Sequence, residues 1–511
     1  MLTTTDLWFP YSTVAIHNQK MKQDSASSRC FEPLTATLDT LSSTLEKSKH
    51  IVLLDTIQET RQIFTSNLKS WVMMIVRSQI DEPFEMLQKK QQCSLTLQHM
   101  TLYDGLPGVM YMLIFLYLKT DSSRNVSSPH PSEASQSSTD TIFNRSSHQE
   151  RLETMFTTDY LLDKIDKCTK LIEHAVCSGN APLDNGDISM VGGLMGCYEI
   201  MAIACDLLGK EKDCENMIRF ILDKVSKLCF INLSKKKSIS NEWLYGRIGF
   251  VYGISFLDEY FKVKNSTCPS FLHTTPKSTQ ADNILIQQVV DEIIDDGSAK
   301  WNDSFMWQWH DKEYLGAVHG VAGICKLLLD TPCARNNWEK IENTVNYLIR
   351  LQLPDGNFPS SSTSTSGRLV QFCHGAPGVV PLLVKMYRET NNETYLDSCK
   401  QACDAVYKHG LLKKGLGLCH GIMGNTYPFL LLYKASGDEE QLFRAIQFAK
   451  FGCAHQSTLI LTPDHPFSLF EGLAGSVIMM YNIIKACEAY EIGLKDPPVH
   501  FPCFDLDIFN Q

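Results

Sequence analysis

Apolar residues along this chain fall into two kinds of run. The first kind is striped. Leu161, Leu162, Ile165, Cys168, Leu171, Ile172 and Val176 recur at steps of three and four, as do Trp338, Ile341, Val345, Leu348 and Ile349. Leu396, Cys399, Cys403 and Val406 form a further stripe, and Leu442, Phe443, Ile446 and Phe448 another. Such spacing puts the apolar side chains on one face of a helix. An earlier set, Ile51, Leu53, Leu54, Ile57, Leu68, Trp71, Val72, Ile75 and Val76, predicts helices between residues 36 and 100.

The second kind is an uninterrupted apolar run such as Val109–Tyr117, and each of these opens on x-Gly-x-x-Gly. The copies begin at Gly105, Gly193, Gly246, Gly320, Gly375, Gly421 and Gly472. With two polar insertions set aside they recur about every 50 residues, in the period range of helical repeats. A striped helix lies between consecutive copies, so the unit is a helical hairpin repeated seven times. An open solenoid of such units needs polar caps. Seven hairpins closed into an all-α, (α/α) toroid instead gather the glycine turns around one cavity. Pro107, Pro377, Pro381 and Pro428 fall near the expected helix starts, where a missing N–H costs least.

Composition adds limits. The 511 residues are 44% hydrophobic and 20% charged, the proportions of a folded soluble chain, and the net charge of −10 excludes a general nucleic-acid partner. A Gly-x-x-Gly also marks KH domains, but those carry one copy with basic flanks. Between Ser122 and Ser147 there are ten serines and almost no large apolar residues, which marks a disordered insertion at about 121–150. Residues 1–35 read as a weakly structured segment, 36–490 as a single toroid and 491–511 as a tail. The start of the chain has no basic stretch leading into an apolar core, so the 18 cysteines read as reduced and the chain as cytoplasmic. No apolar run is long enough to span a bilayer.

Two turns carry candidate chemistry, Cys373-His374-Gly375 and Cys419-His420-Gly421. Two thiols with one or two imidazoles form a ligand set that zinc prefers. Spacing leaves two arrangements open: a closed site of all four residues, or an open one with a position for solvent or a thiol. Glu471 reads as a helix-start residue and Glu242 as a weaker acidic candidate beside a turn. Cys453 and His455 lie on an outer stripe and read as structural.

The seven hairpins, Cys373-His374-Gly375-Ala376-Pro377-Gly378, Gly417-Leu418-Cys419-His420-Gly421, Ala317-Val318-His319-Gly320 and Ser468-Leu469-Phe470-Glu471-Gly472 together resemble the LanC-like family, the eukaryotic relatives of bacterial lanthionine cyclases. The resemblance spans roughly residues 100–485. It implies seven inner and seven outer helices with one zinc at a mouth, the ligands falling on Cys373, Cys419 and His420. It implies glutathione as co-substrate, added to dehydroalanine or dehydrobutyrine in a protein or peptide, and in part a peripheral association with the plasma membrane. A carbanion formed in that addition needs a proton, which a histidine supplies near neutral pH. His374 and His319 are the candidates, and His374 is favoured as the neighbour of Cys373. Glutathione carries two carboxylates, so cations are expected around it. The resemblance assigns Lys414, and Arg247 and Arg368 join it as candidates. Two arginines frequent in the family have no counterpart here, one near the start and one before Pro463-Asp464. That departure supports an alternative, a non-enzymatic glutathione-binding adaptor with a zinc site. A toroidal glycosidase would need two carboxylates across the cavity, and the thiol–imidazole set is surplus to it.

Overall fold

The computed structural model describes residues 31, 46–89, 100–121, 155–178, 183–230, 239–264, 280–299 and 303–509. The Ser-rich insertion after residue 121 and all of the 1–35 segment except Phe31 lie outside them. The described residues are helical, with no β-sheet beyond isolated bridges.

The two kinds of apolar run become two layers. The helices that open on glycine turns are α2 (Leu106–Thr120), α4 (Leu194–Leu207), α6 (Arg247–Val263), α8 (Val321–Asp330), α10 (Ala376–Thr390), α12 (Tyr427–Ser436) and α14 (Leu473–Glu491). Each contacts the next, and α14 returns to contact α2, so the layer closes into a ring. Closure buries these helices on nearly every side, as with Leu106–Leu116 of α2, and an all-round apolar surface is what such a position requires.

The striped helices lie outside. They are α1 (Glu46–Val76), α3 (Thr158–Ser178), α5 (Glu211–Phe220), α7 (Gln280–Ser298), α9 (Trp338–Arg350), α11 (Glu393–His409) and α13 (Glu439–Ala454). Each from α3 onward packs on the inner helix before it, and α1 packs on α14, which joins the two ends of the chain. On α9 only Ile341, Thr344, Val345 and Leu348 are buried, one face of the helix. Ile51 departs from its stripe and stays exposed on α1, whose core face runs through Leu53 and Ile57.

The glycine pattern has a packing cause. A Cβ on the second glycine of any turn would strike the carbonyl oxygen six residues earlier: 2.3 Å for Gly108 and Leu102, 2.0 Å for Gly378 and Phe372, 1.9 Å for Gly424 and Leu418. Gly196, Gly249, Gly323 and Gly475 repeat the same approach. The first glycine mostly sits in extended backbone; Gly375, at φ 108°, is the left-handed exception. Main-chain bonds then tie turn to turn. Cys373 N–H donates to Cys419 O (3.2 Å), Cys419 to Phe470 (2.9 Å), Phe470 to Tyr103 (3.1 Å) and Tyr103 to Val191 (3.0 Å); Gly192 donates to Leu244 (3.0 Å) and Trp243 to Val318 (3.2 Å). The turns are thus laced into one rim at one mouth of the ring.

Prolines 107, 377 and 428 occupy first-turn positions, but Pro381 sits inside α10. There it removes a helix hydrogen bond in a fully buried wall. The segment read as a tail is exposed as far as Asp496 and then turns inward: Phe501, Cys503 and Phe504 are inaccessible. Phe31 is also anchored. Its N–H donates to Leu411 O at 2.8 Å and its ring meets Phe451 edge-on. No helix among the described residues is long and apolar enough to cross a membrane, and no disulfide joins the described cysteines.

Candidate metal centre and its histidine corner

The laced rim brings the two Cys-His-Gly turns side by side. One ligand atom each from Cys373, Cys419 and His420 lies within 4.8 Å of the others, with both thiols buried and the imidazole partly open. Two thiols and an imidazole converge from separate turns, with no fourth protein donor in the group among the described residues, a donor set suited to zinc. His374 is not in the cluster.

Metal-free, the thiols share a proton unequally. A hydrogen bond from Cys419, with help from His420, holds the Cys373 thiol well below its ordinary range against the burial that opposes it. The same bond pushes Cys419 well up. Gln371 Nε2 donates to Cys373 Sγ at 3.0 Å, and the Tyr103 hydroxyl bonds to Cys419. Tyr103 in turn stacks on Phe470, with centroids 5.3 Å apart. Each sulfur thus has a donor aimed at it, but at Cys419 the Tyr103 hydroxyl only partly offsets the rise that Cys373 and burial impose.

Opposite stands a histidine corner. His319 Nδ1 meets Glu242 Oε2 at 2.7 Å. The Glu242 carboxylate is buried and also accepts from the Leu244 N–H (2.9 Å), the Tyr245 N–H (2.7 Å) and Ser240 Oγ (3.1 Å). A carboxylate so placed accepts, so Nδ1 carries the proton and Nε2 is left for the cavity. Trp309 lies flat on the His319 ring, centroids 3.8 Å apart and planes within 2°. It is delivered by a two-residue hairpin, with Trp309 and Lys312 exchanging main-chain bonds of 2.9 and 3.1 Å across His310 and Asp311, both at positive φ. Left-handed non-glycine residues are uncommon and gather near functional sites.

His374 faces this corner, 6.1 Å from His319 and 5.3 Å from Tyr314 between ring centroids. Burial lowers its proton affinity, and His319 and Lys414 add to that, although Cys373 opposes them. Its Nδ1 is buried with no partner.

The cation candidates divide. Lys414 is exposed at the rim, close enough to act on His374. Arg368 is exposed in the loop before α10. Arg247 is buried in another network: it donates to Asp296 (2.9 Å), Glu292 (3.2 Å), Asn241 Oδ1 (3.0 Å) and Cys229 O (2.9 Å), joining the start of α6 to α7. A charge buried inside a turn is unexpected unless paired, and these partners account for it without a ligand. Burial raises the Glu471 carboxyl, with Asp464 and Asp104 adding and His420 and His465 opposing. Trp309 and Tyr314 escaped notice in the sequence. The signal was local: alternating Trp307 and Trp309 ahead of a polar His310-Asp311 pair, a hairpin pattern without its usual glycine.

A closed ring of inner and outer helices with a Cys₂His cluster at one mouth defines an (α/α) toroid whose rim carries a candidate metal site. Residues 96–490 match the model of the lanthionine synthetase C-like proteins, and this chain belongs to that family. It is 30% identical over 329 residues to the Danio rerio "Glutathione S-transferase LANCL1", covering 62% of this chain and 74% of that protein. It is 30% identical over 268 residues to the Arabidopsis thaliana "LanC-like protein GCL1", covering 50% and 58%. Among solved structures, nisin cyclase superposes with a TM-score of 0.52 at 13% identity, covering 84% of this chain and 95% of that one. That likeness concerns the fold.

Proposed function

We propose that this protein adds a thiol, with glutathione as the leading donor, to dehydroalanine or dehydrobutyrine in a protein or peptide, on a toroid of seven inner and seven outer helices. The observation that carries the reading is the Cys373–Cys419–His420 cluster, whose neighbour His374 lies 6.1 Å from the His319 ring of the Glu242–His319 pair. The name of the Danio rerio relative supports glutathione as the donor.

Cys373, Cys419 and His420 would hold one zinc ion. Zinc in such a site favours the thiolate form of a thiol at neutral pH. The attacking sulfur forms a bond to the β-carbon of the dehydroamino acid, and the double-bond electrons move to the α-carbon and its carbonyl. The α-carbon then takes a proton. His319 is the better placed donor, because Glu242 fixes its tautomer and Trp309 its plane. The cavity-facing nitrogen, protonated in the active form, supplies the proton, and Glu242 stabilises the imidazolium before transfer. His374 is kept neutral by burial and lines the path between the two groups. Lys414 and Arg368 are the cations for the glutathione carboxylates. Arg247 is set aside for that role, because it is already paired with Asp296 and Glu292.

The test is zinc content by elemental analysis, with mass-spectrometric detection of glutathione added to a dehydroalanine peptide. Wild type should carry one zinc and form the adduct; Cys373→Ala and Cys419→Ala should do neither. Wild type without zinc overturns the metal site. Zinc without adduct overturns the reaction, and the adaptor reading takes its place.

A further inference from the structure

The chain does not end at the last inner helix. After α14 it turns back and runs into the bore of the ring, where it meets the underside of the rim. Its aromatic residues pack on three rim residues. Phe501 stacks on Phe372, with centroids 4.0 Å apart and planes at 19°. Phe504 lies edge-on to Phe372 at 5.3 Å and to Trp243 at 5.1 Å. Phe501 also approaches Phe470 at 6.4 Å. Each rim residue adjoins the site in sequence: Phe372 precedes Cys373, Phe470 precedes Glu471 and accepts the Cys419 N–H, and Trp243 follows Glu242.

The segment is pinned from several walls. Trp243 Nε1 donates to Cys503 O at 2.9 Å, and Tyr252 of α6 to Asp505 O at 3.1 Å. Lys326 of α8 pairs with Asp505 Oδ1 at 2.8 Å, and Tyr427 of α12 bonds the other oxygen. Lys326 is itself buried and divides its charge between the tail's Asp505 and Asp330 of its own helix, 2.9 Å away. Cys503 stands at φ 57°, a left-handed turn without glycine, and Phe501 and Phe504 on either side of it share Phe372 while reaching Phe470 and Trp243 respectively. One short segment thus supports both halves of the site, the thiol cluster and the Glu242 corner.

We infer that the segment His500–Phe509 is a positioning element of the site: Phe501 and Phe504 hold Phe372, Phe470 and Trp243 so that Cys373, Cys419 and Glu242 converge. The inference rests on the metal reading above. Residues behind metal ligands typically alter metal affinity about 10–100-fold when changed. Phe504→Ala in the full-length protein should therefore weaken zinc at least about tenfold in competition with a chromophoric chelator. In the metal-free protein, alkylation of Cys373 and Cys419, mapped by peptide mass spectrometry, should accelerate several-fold. Phe504→Leu should restore most of both. Ile341→Ala, a buried change on the outer face of the ring, serves as the stability control and should move neither.

Equal loss of affinity in Phe504→Ala and Ile341→Ala would make the tail a stability element only and overturn the inference. So would an unchanged affinity and alkylation rate in Phe504→Ala. If Phe504→Ala cannot be purified folded, the smaller truncation Phe504→Val takes its place, with the same losses expected and the same outcomes overturning the inference. Wild type without zinc overturns the metal reading instead, and the alkylation rates still decide whether the tail positions the thiols.

Discussion

Cys373-His374-Gly375 and Cys419-His420-Gly421 are the same tripeptide in equivalent turns, yet only one of their histidines joins the thiol cluster. The difference begins in the backbone. Gly375 takes φ 108° and caps α10 directly, with Asn357 Oδ1 accepting the Ala376 N–H at 2.8 Å. The later turn runs on through a short 3₁₀ segment, Gly424–Thr426, before α12 starts. There the buried Asn425 instead ties Val370 O and Gly410 O together, at 2.9 Å each. His420 stays with the sulfurs, while His374 turns towards His319. Identical residues acquire separate roles because the loops that clip the two turns differ.

The largest effect should separate the two histidines outright. His420→Ala, like Cys373→Ala, should leave no zinc above background by elemental analysis, because two remaining ligands do not make a zinc site. His374→Ala should keep one equivalent. If His374→Ala also empties the site, the two turns are equivalent after all and the open-site reading falls.

Next in size is the proton-transfer role. His319→Asn should cut the rate of adduct formation by about 10²–10⁴ with zinc content unchanged, the usual range for a general acid. Glu242→Gln should cost less and shift the pH profile, because an amide can still hold the ring but no longer stabilises an imidazolium. His374→Asn should fall short of His319→Asn. The reverse order would return the proton to His374, the choice made from sequence adjacency to Cys373.

That reversal marks where the sequence stops being informative. The hairpin repeat, the glycine turns and the pair of turns that brings Cys373, Cys419 and His420 together are all legible, because each is a local pattern repeated or spaced in the chain. The tail is not. Phe501 and Phe504 carry no periodicity, and their partners Phe372, Trp243 and Phe470 are distant in sequence. Trp309 is hidden for the same reason, since its stacking on His319 depends on a hairpin with no glycine to announce it. Arg247 misleads in the other direction. A charge inside a glycine turn points to the cavity by default, but Asp296 and Glu292 of α7 are close enough to claim it. The glycines themselves are legible as a pattern, but their cause, a carbonyl six residues back, appears only when the turn is built.

A smaller effect tests the backbone origin of the difference. Gly375→Ala faces both a left-handed φ and the Leu369 carbonyl, 2.1 Å from the new Cβ. It should cost about 3 kcal/mol in urea unfolding, the upper range for strain and overpacking. Gly437→Ala has a similar sign of φ, at 72°, but nothing within 4 Å, and should cost about 1 kcal/mol. Equal costs would mean that crowding at the turn contributes nothing, and the clip around Asn357 would lose its explanatory role.

The smallest effect is a pH dependence that only one of the two turns should show. Burial lowers the proton affinity of His374, while the unfolded chain takes a proton with a pKa near 6.5. Below that value the unfolded state binds more protons than the folded one, so stability contributed by neutral His374 is complete above about pH 6.5 and is lost as pH falls through it. Urea unfolding of metal-free wild type between pH 7.5 and 5.5 should lose more stability than His374→Asn does. A histidine held by Cys373 as an imidazolium would give the opposite slope, with stability growing as the pH fell. That outcome would place His374 electrostatically with the thiols, despite its distance from the cluster, and would erase the contrast between the two turns at its most sensitive point.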